Sequence, residues 1–124
     1  MTLYERIGGS EAISDMVDSF YSRVLNDSNL RPFFDGVSVE RLKAMQAQFF
    51  CAALDGPIEY SGGELSQIHR GMGIKRSHIT HFVGHLISVL EAKESIRSAD
   101  KMDIIFRIAT YTDRIMDDSG GTDG

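Results

Sequence analysis

Apolar residues recur along this chain at intervals of three and four, and no segment alternates strictly as a half-buried strand would. That period predicts an all-α fold. The stripe Ile13, Met16, Val17, Phe20, Tyr21, Val24 predicts a helix over 10–26, entered from the Gly8-Gly9 break with Ser10 or Ser14 as cap. A short helix over Leu3–Ile7 precedes it. Val39, Leu42, Gln46, Phe49, Phe50 and Ala53 predict a second long helix over 38–55, capped by Ser38 and stopped by Gly56-Pro57. Ile79, Phe82, Val83, Leu86, Val89 and Leu90 predict a third over 77–93, with Ser77 as its cap. On a last helix, beginning at Ser98 or Asp100 and running to 116, the expected inward residues are Met102, Ile105, Ile108, Ala109, Thr112 and Ile115.

The connections carry their own signals. Residues 26–36, NDSNLRPFFDG, are rich in turn formers, and Pro32 disfavours helix at Arg31. Phe33 and Phe34 follow directly; burying each is worth about 1.5–3 kcal/mol, so both are expected to point inward, to different partners. Residues 56–63, GPIEYSGG, read as a loop. Residues 64–70 make at most two helical turns before Gly71 and Gly73. The acidic, glycine-rich residues 117–124 predict a disordered tail, which leaves one domain over 1–116.

Charge and composition narrow the function classes. A net charge of −5 over 124 residues argues against a general nucleic-acid or anionic-membrane binder. No apolar run is long enough to span a bilayer, and the start, MTLYERIGG, has neither the basic residues nor the apolar core of a secretion signal. The single cysteine, Cys51, cannot form an internal disulfide. Together these favour the cytoplasm.

Two features do not fit a plain helical core. Gln46 sits in the middle of an apolar stripe, and a buried amide must find a hydrogen-bond partner or cost a few kcal/mol. The histidines form the second feature. His78, His81 and His85 lie loosely along one side of the third helix, flanking its stripe; a zinc site would need further ligands and a closing geometry that the sequence does not supply. His69 stands apart in QIHRGMGI. It is either a helix C-terminal cap, which the helix dipole favours, or the single axial ligand of a metal whose other ligands come from a macrocycle, as in haem. The surplus of Phe33, Phe34, Phe49, Phe50 and Phe82, with Tyr21 and Gln46 on inner faces, supports the second reading.

These residues carry a resemblance. LYERIGG, FYSRVL with Tyr21, PFFDGV with Phe34, RLKAMQAQFF with Leu42, Gln46 and Phe50, ALDGPIEYSG, QIHRGMGI with His69, and HFVGHL stand in an order and spacing that resemble the group I truncated haemoglobins, from Leu3 to about Ile115. The resemblance implies a two-over-two helical sandwich around non-covalent haem b, with a minimal first helix and a mostly looped segment before the iron ligand. It implies His69 as the proximal ligand, Tyr21 and Gln46 as the distal catalytic pair, and Leu42 where ordinary globins carry a distal histidine. Phe34 would pack on the haem face and Phe33 on the pocket wall. Ile74, His78, Ile79, Phe82 and Leu86 would line the proximal side and haem edge, and Phe50 would gate an apolar ligand channel. Met45 replaces a histidine that binds iron in some relatives, so an open or water-bound sixth position is expected. Met72 replaces a basic residue, which leaves Arg41, Lys43 and Lys75 as candidate propionate partners. No histidine follows His85 to attach haem covalently.

What the resemblance implies for activity is an enzyme or a binder of gases. One reading is nitric oxide dioxygenation, with an external reductase restoring ferrous iron. The other is binding, storage or sensing of O2, CO or NO without turnover, by a monomer or weak dimer. A small helical interaction domain, the third possibility, would leave Tyr21, Gln46, Phe34 and His69 unlinked.

Overall fold

The computed structural model describes residues 1–58 and 69–115, apart from the side chains of 113 and 114. Most of the expected loop and turn before His69, and the tail over 117–124, lie outside the described residues. Among those described, every regular element is helical: α1 (Leu3–Ile7), α2 (Gly9–Val24), a 3₁₀ turn (Arg31–Phe34), α3 (Val39–Ala53), α4 (Arg76–Glu91) and α5 (Ser98–Ile115).

The helix starts show how local chemistry sets the ends. Thr2 caps α1: its hydroxyl accepts from Glu5 N at 3.1 Å while the Glu5 carboxylate accepts from Thr2 N at 2.9 Å, a reciprocal capping box. Ser38 Oγ accepts from Arg41 N at 3.4 Å at the head of α3, as its position predicts. Two expected caps are not used. α2 begins directly after Gly8 with no side-chain cap, so neither Ser10 nor Ser14 serves. α4 begins at Arg76 rather than after Ser77; there the His78 side chain reaches back to accept from Lys75 N at 2.9 Å.

The 3₁₀ turn corrects the expectation of a non-helical corner. Pro32 sits in its first turn, where the missing N–H has no intrahelical partner to lose. Phe33 and Phe34 do take different partners. Phe33 stands edge-on to His78 at 4.8 Å between ring centres, and Phe34 edge-on to Tyr21 at 5.8 Å.

α2 packs on α3 and α4, α4 on α5, and α3 on α5. Two helix pairs, α2 with α3 and α4 with α5, are thus stacked on each other. Phe20, Phe50, Leu54, Leu86, Leu90 and Ile104 are fully buried between them. The face of α5 differs from expectation: Ile104 enters the core, whereas Met102 is 66% exposed and Phe106 72% exposed. Ion pairs tie the ends of the stack. Arg6 reaches buried Asp100 at 3.2 Å, and Arg107 binds Asp55 at 2.8 Å, Asp103 at 2.9 Å and the carbonyl of Ala53 at 3.2 Å.

Two of the four histidines have a structural task. His81 Nδ1 and His85 Nε2 lie 3.0 and 2.7 Å from the same Asp27 oxygen and fasten the corner after α2 to α4. The carboxyl of Asp27 is held well below the usual carboxylate range, chiefly by the His85 hydrogen bond and next by Asn29 N–H. A carboxyl whose pKa falls on folding contributes stability that is complete above its unfolded value, about 4, and lost as pH drops toward the folded value. Asp27→Asn should therefore lower the urea midpoint at about pH 7 and flatten its decline below about pH 4; an unchanged midpoint and slope would show the bridge to be idle.

Candidate functional site

A cavity opens between the stacked pairs; the space inside it, part of it open to solvent, is about 590 Å³. α2 brings Tyr21 and Val24 to its wall, and the corner after α2 brings Leu30, Phe33 and Phe34. α3 contributes Leu42 and Gln46. His69, Met72 and Ile74 come from the segment before α4, and His78, Ile79 and Phe82 from α4 itself. Ten of the residues singled out from sequence thus meet at one place: Tyr21, Phe33, Phe34, Leu42 and Gln46 from the first half, and His69, Ile74, His78, Ile79 and Phe82 from the second.

Four others lie off this wall. Lys43 turns to α2 and pairs with Asp18 at 3.3 Å. Met45 points outward, 43% exposed. Phe50 is fully buried behind the wall, 6.3 Å from Phe20 and 5.8 Å from Phe49 between ring centres. Leu86 is fully buried one helical turn beyond Phe82.

A smaller space of about 320 Å³ adjoins the cavity and shares Gln46, His69, Phe82 and Ile115 with it; Phe49, Ile108, Tyr111 and Thr112 close its far side. Phe49 and Tyr111 stand edge-on at 5.1 Å. From sequence, Phe49 counts in the aromatic surplus and Met72 is set near the propionates, but Tyr111, Val24 and Leu30 are not assigned to the site. Val24 was findable, one turn beyond Tyr21 on the same stripe. Tyr111 was findable as well, three residues after Ile108 and four before Ile115 on α5.

The polar chemistry is concentrated in one pair. Tyr21 Oη donates to Gln46 Oε1 at 2.8 Å, which gives the misplaced amide of α3 its partner. Burial pushes the Tyr21 phenol pKa up, so it keeps its proton. Among the described residues nothing accepts from Gln46 Nε2, so the amide hydrogens are the donors that the pair presents.

The segment that carries His69 turns sharply. His69 is helical, the carbonyl of His69 accepts from Met72 N at 3.3 Å, and Gly71 and Gly73 take φ of 80° and 74°, a left-handed conformation that favours glycine. The turn lets Ile74, 7% exposed, drop back into the wall while His69 stays beside it.

These residues fit haem. The walls are aromatic and aliphatic, and the histidines sort themselves. His81 and His85 are engaged with Asp27. At His78, Nδ1 already accepts from a backbone N–H, so the neutral ring carries its proton on Nε2 and neither nitrogen has a lone pair to give iron. His69, which lines the cavity, is the candidate axial ligand.

Comparison with known proteins agrees. The family model described as bacterial-like globin matches residues 2–116. A group 1 truncated hemoglobin of Mycolicibacterium paratuberculosis is 46% identical over 91 residues, 73% of this chain and 67% of the relative. One from Synechocystis is 32% identical over 94 residues, covering 73% and 76%. The crystal structure of the truncated hemoglobin from Tetrahymena pyriformis superposes with a TM-score of 0.84 at 25% identity, covering 94% of this chain and 99% of that one. The chain belongs to the bacterial-like globin family, as a group I truncated haemoglobin, and the cofactor of that family is haem.

Proposed function

We propose that this globin joins dioxygen to nitric oxide at a haem carried by His69, with Tyr21 and Gln46 as the catalytic pair and a separate reductase as electron donor. One nitric oxide, one dioxygen and one electron give one nitrate. The observation that carries the reading is the partly buried 2.8 Å hydrogen bond between Tyr21 and Gln46 in the same cavity as His69. Haem, when bound, supplies iron with one position open to a diatomic ligand.

The residues supply the rest. As the pair stands, the phenol proton goes to Gln46 Oε1 and the amide N–H group faces outward. Turning the amide over lets Nε2 donate to the phenol oxygen and frees the Tyr21 proton instead. Either way one donor is offered to a diatomic ligand that gains negative charge, in a pocket dry enough for the bond to count. Leu42 and Phe34 keep water out. Phe50, wedged between Phe20 and Phe49, is the proposed gate for apolar gases, and the smaller space beside Phe49 and Tyr111 gives them room. The cytoplasm, where reducing equivalents are at hand, is the proposed setting; among the described residues no helix is long and apolar enough to cross a membrane.

Stopped-flow mixing of the oxygenated protein with nitric oxide should produce nitrate within the mixing time or shortly after, in equal amount to the protein. Slow or absent nitrate would replace turnover with gas binding, storage or sensing.

A further inference from the structure

At His78 the fold itself places the proton of the neutral ring. Its Nδ1 accepts from Lys75 N–H at 2.9 Å. A backbone amide only donates, so Nδ1 holds the lone pair and the proton of the neutral ring is on Nε2. In imidazole Cε1 separates the two nitrogens. With Nδ1 turned back to the helix start, Nε2 lies toward the outer end of the side chain. The ring is half-buried in the cavity wall and steadied edge-on by Phe33 at 4.8 Å.

The sequence explains the arrangement. Lys75 occupies the cap of α4 but has no side-chain oxygen with which to accept from the first turn. His78, three residues on, takes the part that Glu or Gln plays in a capping box and satisfies the backbone N–H of the cap residue. A carboxylate there would have brought an acceptor and a negative charge to the cavity. Histidine brings an oriented N–H donor. The charge nearby has the same preference: Lys75 and Arg76 are exposed at this turn, neither is in an ion pair among the described residues, and the first turn of α4 carries no acid.

We propose that His78 Nε2–H, with Lys75 and Arg76 beside it, receives a carboxylate of the cavity's occupant, and so fixes which edge of the macrocycle faces α4. This rests on the haem assignment, in which the only carboxylates are the two propionates. It gives His78 a role separate from the iron ligand and from the Tyr21–Gln46 pair: a positioning residue that starts a helix with one nitrogen and orients the prosthetic group with the other.

The test uses zinc protoporphyrin IX and its dimethyl ester, which has the same ring without charged carboxylates. Nitrogen-15 spectra of the wild-type apoprotein should show the Nε2–H tautomer at His78; an Nδ1–H tautomer overturns the proposal. The free-acid porphyrin should shift the His78 Nε2 resonance and slow exchange of its proton, and the ester should do neither; equal effects, or none, overturn it. With iron protoporphyrin IX, His78→Phe keeps a ring against Phe33 and should release haem to a scavenging apoprotein at least about tenfold faster. His78→Gln, which retains an acceptor and a donor, should recover part of that loss. An equal wild-type-to-variant ratio for the iron dimethyl ester removes the carboxylate contact while leaving the haem assignment intact. A wild-type chain that takes up neither porphyrin overturns both.

Discussion

His69→Ala should take up haem poorly, and what it does take up should lack the spectrum of a histidine-ligated iron. Replacing residues that merely orient a metal ligand costs about ten- to a hundredfold in affinity; removing the ligand itself should cost more than that. The structure makes the loss specific. The other histidine on the cavity wall, His78, has one nitrogen accepting from a backbone N–H and the other protonated, so it cannot stand in without breaking the start of α4. His81 and His85 are both held at Asp27. Free imidazole added to the variant should restore the spectrum, because the space left by the side chain matches the missing ring. Haem titration with absorption readout checks both halves; full retention with an unchanged spectrum would remove His69 as the ligand.

The second large effect is on the distal pair. A hydrogen bond to a charged group is worth about 1.5–3 kcal/mol, so losing the donor should speed oxygen release by about ten- to a hundredfold. Tyr21→Phe removes the phenol proton and leaves Gln46 Oε1 without its partner. Gln46→Leu removes the amide hydrogens and frees the phenol to turn. Each variant leaves the other member of the pair without the partner that holds it, so both should speed release. Laser-flash measurement of the oxygen off-rate in both variants decides this. If neither rate moves, the pair has no part in holding the ligand.

The sequence made the helices legible because the stripes of the long ones are regular and because glycine or proline stands at or just past the ends of α1 and α3. α1 falls on Leu3–Ile7, and α3 lies within a residue or two of its expected ends. The error on α5 has a geometric cause. At about 100° per residue, Ile104 lies about 40° from Ile108 around the helix, and Met102 about 120° away. Both are hydrophobic, so composition could not separate them; angle could. The missed start of α4 has a different origin. Ser77 is a good cap in isolation, but His78 satisfies the helix start from inside it, and that bond depends on a ring steadied by Phe33, far away in sequence.

The site was legible where a residue contradicts its surroundings. Gln46 on an apolar stripe demanded a partner, and Tyr21 is that partner. Lys43 could not be placed in the same way. A cation beside Leu42 is equally compatible with the cavity mouth and with Asp18 across on α2, and the structure puts it with Asp18. Nothing in a single sequence distinguishes two salt-bridge partners at similar reach.

The turn after His69 is set by handedness and not by crowding. At Gly71 and Gly73 the backbone lies in the left-handed region, yet a methyl group built on either would meet no atom of the described residues within 4 Å. An L-side chain is excluded there only by the sign of φ. The mirror-image residue has the opposite preference, so D-alanine at either position would sit without strain in open space. It would also narrow the unfolded ensemble that glycine keeps broad. The segment that carries His69 is therefore a place where the chain's own chirality, rather than its packing, limits how stable the protein can be.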